Sequence, residues 1–215
     1  MRRAFLFCLV AVMVFAAGSA SAQWNLGMRL VGTGNYFPYL PIMQAMSEES
    51  PLVVADVGIF GYKELAIGYR ADKLCLEGNF AYDKFGSTFE FEGTDFESDL
   101  TWWYGGATIL YSFMQGEGYS GSAGVRFQYG TSEMLRSMGP MEETFSGTTT
   151  QFSLPFRFMW RPGGGNFAVG PEVAFKYTTG TTEYEATDGV DSITEDGPEY
   201  TGFDTEYSLM MKFIF

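Results

Sequence analysis

Along most of this chain every second residue is large and apolar, and the residues between are small, polar or charged. A β-strand turns successive side chains to opposite faces, so such alternation marks strands with one greasy and one polar face. Trp24, Leu26, Met28 and Leu30 share a face, opposite Asn25, Gly27 and Arg29. Leu65, Ile67 and Tyr69 run into a turn at Ala71-Asp72-Lys73. Leu74, Leu76, Phe80 and Tyr82 follow, interleaved with Cys75, Glu77 and Asn79. Trp103, Ala107, Ile109, Tyr111 and Phe113 lead to the turn Gln115-Gly116-Glu117-Gly118. Beyond it Tyr119, Ala123, Val125, Phe127 and Tyr129 alternate with Ser120, Ser122, Arg126 and Gln128. Phe152, Leu154, Phe156, Phe158 and Trp160 face away from Gln151, Ser153, Arg157 and Arg161. After Pro162–Asn166 come Phe167, Val169, Val173, Phe175 and Tyr177, opposite Glu172 and Lys176. The last strand sets Tyr207, Leu209, Met211, Phe213 and Phe215 against Ser208, Met210, Lys212 and Ile214. Helical periodicity is nearly absent.

The pattern therefore predicts eight strands, joined alternately by short and long connections. Three connections are tight turns; the other four, near 34–54, 83–98, 131–147 and 182–202, are long and mostly polar. Connections longer than about 12 residues are uncommon in a compact domain. Four on one side imply an up-and-down antiparallel barrel with one plain end and one elaborated end. One segment fits poorly. If Val57–Tyr69 is a single strand, Lys63 shares the greasy face of Leu65 and Ile67. Either a β-bulge near Gly61 changes the facing, or Val53–Phe60 is a strand of its own. The bulge is preferred, because a ninth strand gives an odd count.

The chemistry of the two faces decides the environment. The polar face carries charges of both signs: Arg29, Glu77, Arg126, Arg157, Glu172, Lys176, Glu206 and Lys212. Such charges are tolerated inside a narrow barrel when opposite signs pair. The other face is a continuous apolar band that would aggregate in water. The greasy face is expected outside, in lipid, making an all-β transmembrane barrel with short periplasmic turns and four long external loops. Tyr69, Trp103, Tyr119 and Trp160 are the candidates for aromatic girdles at its two interfaces.

Residues 1–22 combine a basic start at Arg2-Arg3, the apolar run Ala4–Ala17 and a small-residue Ala20-Ser21-Ala22 end. That is the layout of a secretory signal peptide, and the run is too short to cross a bilayer of about 30 Å as a helix. Cleavage after Ala22 is expected, leaving one barrel domain over residues 23–215. The terminal Tyr207-x-Leu209-x-Met211-x-Phe213-x-Phe215 resembles the C-terminal signature by which outer-membrane barrels are recognised for insertion. Over residues 23–215 the chain resembles small eight-stranded bacterial outer-membrane barrels of the OmpA/OmpX/OmpW kind. Leu65–Arg70 with its tight turn is similar to their second hairpin. The resemblance implies the bacterial outer membrane as location. As partners it implies the lipids and lipopolysaccharide of that membrane, the barrel-assembly machinery and periplasmic chaperones.

Composition removes several functions. The chain has no histidine. Outer-membrane phospholipases, lipid A-modifying enzymes and barrel proteases resemble one another in relying on a catalytic His, the usual base near neutral pH. No enzyme activity and no cofactor are expected. Cys75 has no base near it in sequence and reads as a small lumen-filling residue; Glu77 and Glu172 read as partners for Arg126 and Arg157. A formal net charge of −13 argues against nucleic acid. The segment 182–202 holds Glu183, Glu185, Asp188, Asp191, Glu195, Asp196 and Glu199, which leaves divalent cations as an open partner, although the spacing is not that of an EF-hand. Three roles stay in view: a structural, surface-display or adhesive barrel with a filled lumen, a narrow channel for small or hydrophobic solutes, and a soluble lipocalin-like carrier. Eight strands enclose a space just wide enough for side chains, which favours the first.

Overall fold

The computed structural model describes residues 23–32, 60–91, 94–138, 141–197 and 199–215. The expected signal peptide and the connection near 34–54 lie outside these residues. Nine strands follow in chain order: β1 Gln23–Gly32, β2 Phe60–Ala71, β3 Leu74–Phe91, β4 Thr94–Gln115, β5 Tyr119–Met138, β6 Met141–Trp160, β7 Phe167–Thr187, β8 Ser192–Asp196 and β9 Tyr200–Ile214. Each of β1 to β6 pairs antiparallel with the next, β6 pairs with β7, and β9 joins β7 to β1. The sheet closes into an eight-membered ring, with β8 outside it as a short extension on the end of β7. Closure removes every edge from the ring, the condition for a sheet to survive where no water can bond a free N–H.

The tight turns behave as their residues dictate. Asp72 takes a positive φ of 54° between Ala71 and Leu74, a conformation Asp tolerates better than most residues. At Gly116–Gly118 the amide of Gly116 donates to the Tyr119 carbonyl at 2.9 Å. The turn after β6 contains Gly163 and Gly164 at φ 65° and 70°, where a side chain would strain the backbone.

Three of the four long connections are largely strand. β3 and β4 stay paired out to Phe91 and Thr94, β5 and β6 to Met138 and Met141, and β7 pairs with β8 out to Thr187 and Ser192. The cause is visible in sequence: alternation persists through stretches such as Phe89-Glu90-Phe91, so the ladder continues after the greasy band ends. β4 has 22 residues and β7 has 21, whereas a tilted strand needs about 9–11 to cross a bilayer. Roughly half of each tall strand stands beyond the membrane.

The Gly61 bulge is present, but it does not rescue Lys63. Val31 faces Tyr62 and Gly32 faces Phe60, so Gly61 is the extra residue. The slip falls beyond Lys63, which keeps the outward facing of Leu65 and Ile67 and is exposed. Residues 53–59 lie outside the described set.

Polarity runs inside-out. The largest fully buried side chains include Arg29, Arg126, Gln128, Gln151, Glu64, Glu77 and Glu172, while Leu65, Ile67, Phe80, Phe113, Val125, Phe152, Leu154 and Phe175 are exposed. Gly170 lets the wall close around these long polar groups. A Cβ there would stand 1.8 Å from the carbonyl oxygen of Phe158 on β6, a backbone clash that no rotamer change relieves.

An ion cluster across the barrel lumen

Inward positions recur at every second residue, so each strand delivers its polar side chains in a column, and the columns meet at one level. Arg29 on β1 lies directly opposite Glu64 on β2 and binds it with two parallel bonds, Nε to Oε1 at 2.9 Å and Nη2 to Oε2 at 2.7 Å. The same guanidinium reaches across the ring to Glu172 on β7, Nη1 to Oε1 at 3.2 Å, and to Glu206 on β9. Glu172 also accepts from Arg126 on β5 and from Arg157 Nε on β6, the latter at 2.7 Å. Arg157 Nη1 continues to both oxygens of Glu77 on β3 at 2.9 Å, and Lys212 on β9 donates to the same carboxylate.

The result is a chain of ion pairs spanning β1, β2, β3, β5, β6, β7 and β9. Arg29, Arg126, Arg157 and Lys212 balance Glu64, Glu77, Glu172 and Glu206, so these eight groups carry no net charge. All are 7 % exposed or less. Burying one charge without a partner costs several kcal/mol. Here each guanidinium meets two or three carboxylates, mostly in bonds of the charge-assisted kind; the Arg126–Glu206 contact is a longer ion pair of 3.5 Å.

Neutral donors complete the layer. Tyr104 Oη and Gln128 Nε2 each donate to Glu64 Oε2 at 2.8 Å, Gln151 Nε2 donates to Gln128 at 3.0 Å, and Arg126 Nε donates to Thr108 Oγ1 at 3.1 Å. Above it, Trp102 stacks on Tyr104 with centroids 5.9 Å apart. Higher still, Phe145 is buried against Leu100, Met134 and Tyr184. Below it, Ala66, Met159, Ala168 and Met210 form an apolar layer near the short turns. Ion layer, aromatic layer and apolar layer follow one another along the bore.

Sequence reasoning placed Arg29, Glu77, Arg126, Arg157, Glu172, Glu206 and Lys212 on the inner face, and all seven meet in this cluster. Lys176, buried four positions beyond Glu172 on β7, pairs with Asp204 at 3.5 Å. Glu64 and Tyr104 went unremarked as inner-face residues. Glu64 was readable, because it shares the face of Ala66 and Gly68. The awkward facing of Lys63 beside it hid that alternation. Cys75 is buried, 3.5 Å from Glu77 Oε1.

The aromatic candidates divide between the two ends. Tyr119 and Trp160 face each other across β5 and β6 beside the short turns, 45 % and 56 % exposed. Trp103 stands twelve positions up β4 from Gln115, opposite Tyr82 and 6.3 Å from Tyr129. Tyr69 differs: it is 6 % exposed, because Trp24 packs edge-on against it at 5.1 Å. Tyr207, Leu209, Phe213 and Phe215 lie outward along the C-terminal strand segment and are exposed, while Glu206, Met210 and Lys212 point inward. Among the described residues no three His, Cys, Asp or Glu side chains converge to hold a metal ion. No helix there is long and apolar enough to cross a membrane.

The inverted polarity of a closed ring decides the architecture. This is a membrane-spanning β-barrel of eight strands. No protein-family model and no curated protein matches the chain. Solved structures similar to it include the ferric yersiniabactin uptake receptor FyuA from Yersinia pestis. The identity is 14 %, over 68 % of this chain and 24 % of that receptor, with a TM-score of 0.42; the chain thus spans about a quarter of FyuA's length. It is also similar to Ail, the attachment invasion locus protein of Yersinia pestis, at 13 % identity over 90 % and 97 % of the two chains, TM-score 0.42. A major outer membrane protein from Thermus thermophilus matches at 12 % over 90 % and 100 %, TM-score 0.44. These likenesses concern architecture alone, and the ion cluster stands on its own geometry.

Proposed function

We propose that the chain is a bacterial outer-membrane barrel whose bore is closed and whose role is exercised at its outer end, in surface display or adhesion. The observation that supports this reading is the continuous ion layer. Seven of the eight ring strands contribute an ionised group to it, and an aromatic layer lies directly above. A solute moving through would have to part several charge-assisted bonds at once, each worth about 1.5–3 kcal/mol. The hairpins that rise beyond the greasy band then remain as the surface available to partners.

Those hairpins are acidic, with Glu183, Glu185, Asp188, Asp191, Glu195 and Asp196 on β7, β8 and their connection. A basic protein surface is the complementary partner class. Ail has been seen with the heparin analogue sucrose octasulfate; a polysulfate of that kind would be repelled here. The C-terminal strand, greasy outside and charged inside, suits recognition by barrel-assembly machinery, and its outward side chains would meet membrane lipid and lipopolysaccharide.

Conductance in a planar lipid bilayer tests the closed bore. The folded barrel, identified by a gel mobility that shifts on boiling, is expected to be silent. Discrete, reproducible steps would overturn the closed reading and leave a narrow channel in its place.

A further inference from the structure

The end of the barrel at the short turns holds a pocket that the closed-bore reading does not use. It opens inside the ring, beneath the ion layer, and is small: its cavity volume is about 30 Å³, and it communicates with the solvent outside. Its lining includes Arg70, Arg157, Arg161 and Lys212, together with the hydroxyls of Ser120 and Ser122. Among the described residues, no acidic one lines it. Acidic residues outnumber basic ones by 26 to 13 in the whole chain, so four basic groups around one acid-free pocket run against the general composition.

Two of the four cations are committed upward. Arg157 and Lys212 both bind Glu77. Arg70 and Arg161 are different: the inward facing of β2 and the end of β6 brings them to the mouth, and among the described residues no carboxylate forms an ion pair with either. Arg70 Nη2 donates to Ser112 Oγ at 3.0 Å. Burial first, and then the neighbouring Arg70, act against the charge on Arg161 and hold its pKa below the usual arginine value. Two guanidiniums are thus set near one another without an intervening acid.

We propose that this pocket binds a small oxyanion of the phosphate or sulfate type, held by the guanidinium groups of Arg70 and Arg161 with the hydroxyls of Ser120 and Ser122. Guanidinium forks match two oxygens of such an anion, and serine hydroxyls can donate to the others. The anion would also relieve the repulsion between the two arginines. The pocket opens inside the strand wall, which screens it from the surrounding lipid headgroups, so a free anion from the aqueous phase is the occupant. The proposal is independent of conduction, since a closed barrel retains this mouth.

The test uses the folded protein in a phosphate-free, uncharged detergent at low ionic strength, titrated with inorganic phosphate, sulfate and acetate by calorimetry. Phosphate and sulfate should saturate a single site. The double variant Arg70→Gln, Arg161→Gln should weaken both by tenfold or more, because it removes at least one charge-assisted bond. Its boiling-dependent gel shift should be unchanged. If that variant does not fold, amide NMR of the wild type decides: phosphate should move the signals of Asn25, Ser120 and Ser122 and leave those of the outer hairpins in place. No uptake of phosphate or sulfate, equal affinity in the double variant, acetate binding as tight as phosphate, or shifts confined to the outer hairpins would each overturn the proposal.

Discussion

At the scale of single residues, Glu172 is the carboxylate that three guanidiniums share, since it accepts from Arg29, Arg126 and Arg157. Glu172→Gln keeps the shape but removes the charge that three guanidiniums share. The expected cost is about 3–5 kcal/mol, the range for breaking a buried ion pair by removing one partner, read from urea unfolding of the folded protein in lipid vesicles. Unaltered stability would show that the cluster is hydrated in solution. Gly170→Ala tests the wall itself. The new methyl meets the backbone of β6 at a distance no side-chain movement can mend, and a loss of at least about 1–3 kcal/mol is expected in the same assay. At the outer tip, the carboxylate of Asp188 accepts from the amides of Asp191 and Val190, each at 2.9 Å. Those bonds hold its pKa below the ordinary aspartate value. A depressed carboxylate contributes order above its unfolded pKa of about 3.9 and loses it as pH falls through the folded value. The Val190 and Asp191 amide signals should therefore move together only below the ordinary aspartate range, and titration nearer pH 5 would remove the cap.

At the scale of elements, period-two alternation was sufficient to find every strand of the ring, because membrane and lumen impose opposite demands on successive residues. Where both sides of a strand face water, that demand lapses. The tall ends of β5 to β7 were accordingly read as long loops, whereas the alternation of Phe89-Glu90-Phe91 already pointed to β3 and β4 running on beyond the membrane. Local pattern also could not say which charges meet: Arg29 and Glu172 are 143 positions apart, and only ring closure brings them together. Facing, by contrast, was legible, and seven of the cluster's charges were assigned to the inner face from alternation alone. The extra length of the hairpins should be dispensable to the ring. Replacing residues 135–144 with a two-residue turn leaves Phe145 and the ion layer in place, and the boiling-dependent gel shift is expected to survive. Lys63 belongs to this scale as well. It sits on the lipid side of β2, opposite Leu30, where a cation is unfavourable away from the interface. Lys63→Leu is expected to stabilise the barrel by roughly 1 kcal/mol, less than the 2–4 kcal/mol of a midplane lysine, and a loss of stability would mean that the ammonium has a partner in the membrane surface.

At the scale of the whole molecule, the eight ionised groups bind the ring into one unit. Backbone hydrogen bonds join each strand only to its neighbours, whereas Arg29 joins β1 to β7 and Arg157 joins β6 to β3. Cross-ring bonds of this kind are lost only when the wall opens, so unfolding is expected as a single transition by both tryptophan fluorescence and far-ultraviolet circular dichroism. The balance of charge in that layer has a separate consequence for a voltage placed across the membrane. On a group that moves rigidly, a field does work only through its net charge, about 2.3 kcal/mol per elementary charge for each 100 mV. Four cations and four carboxylates tied to one another are pulled in opposite directions with equal force. Moved as one unit, such a neutral layer feels no net force, so a barrel closed in the proposed way gains no drive to open as the potential rises.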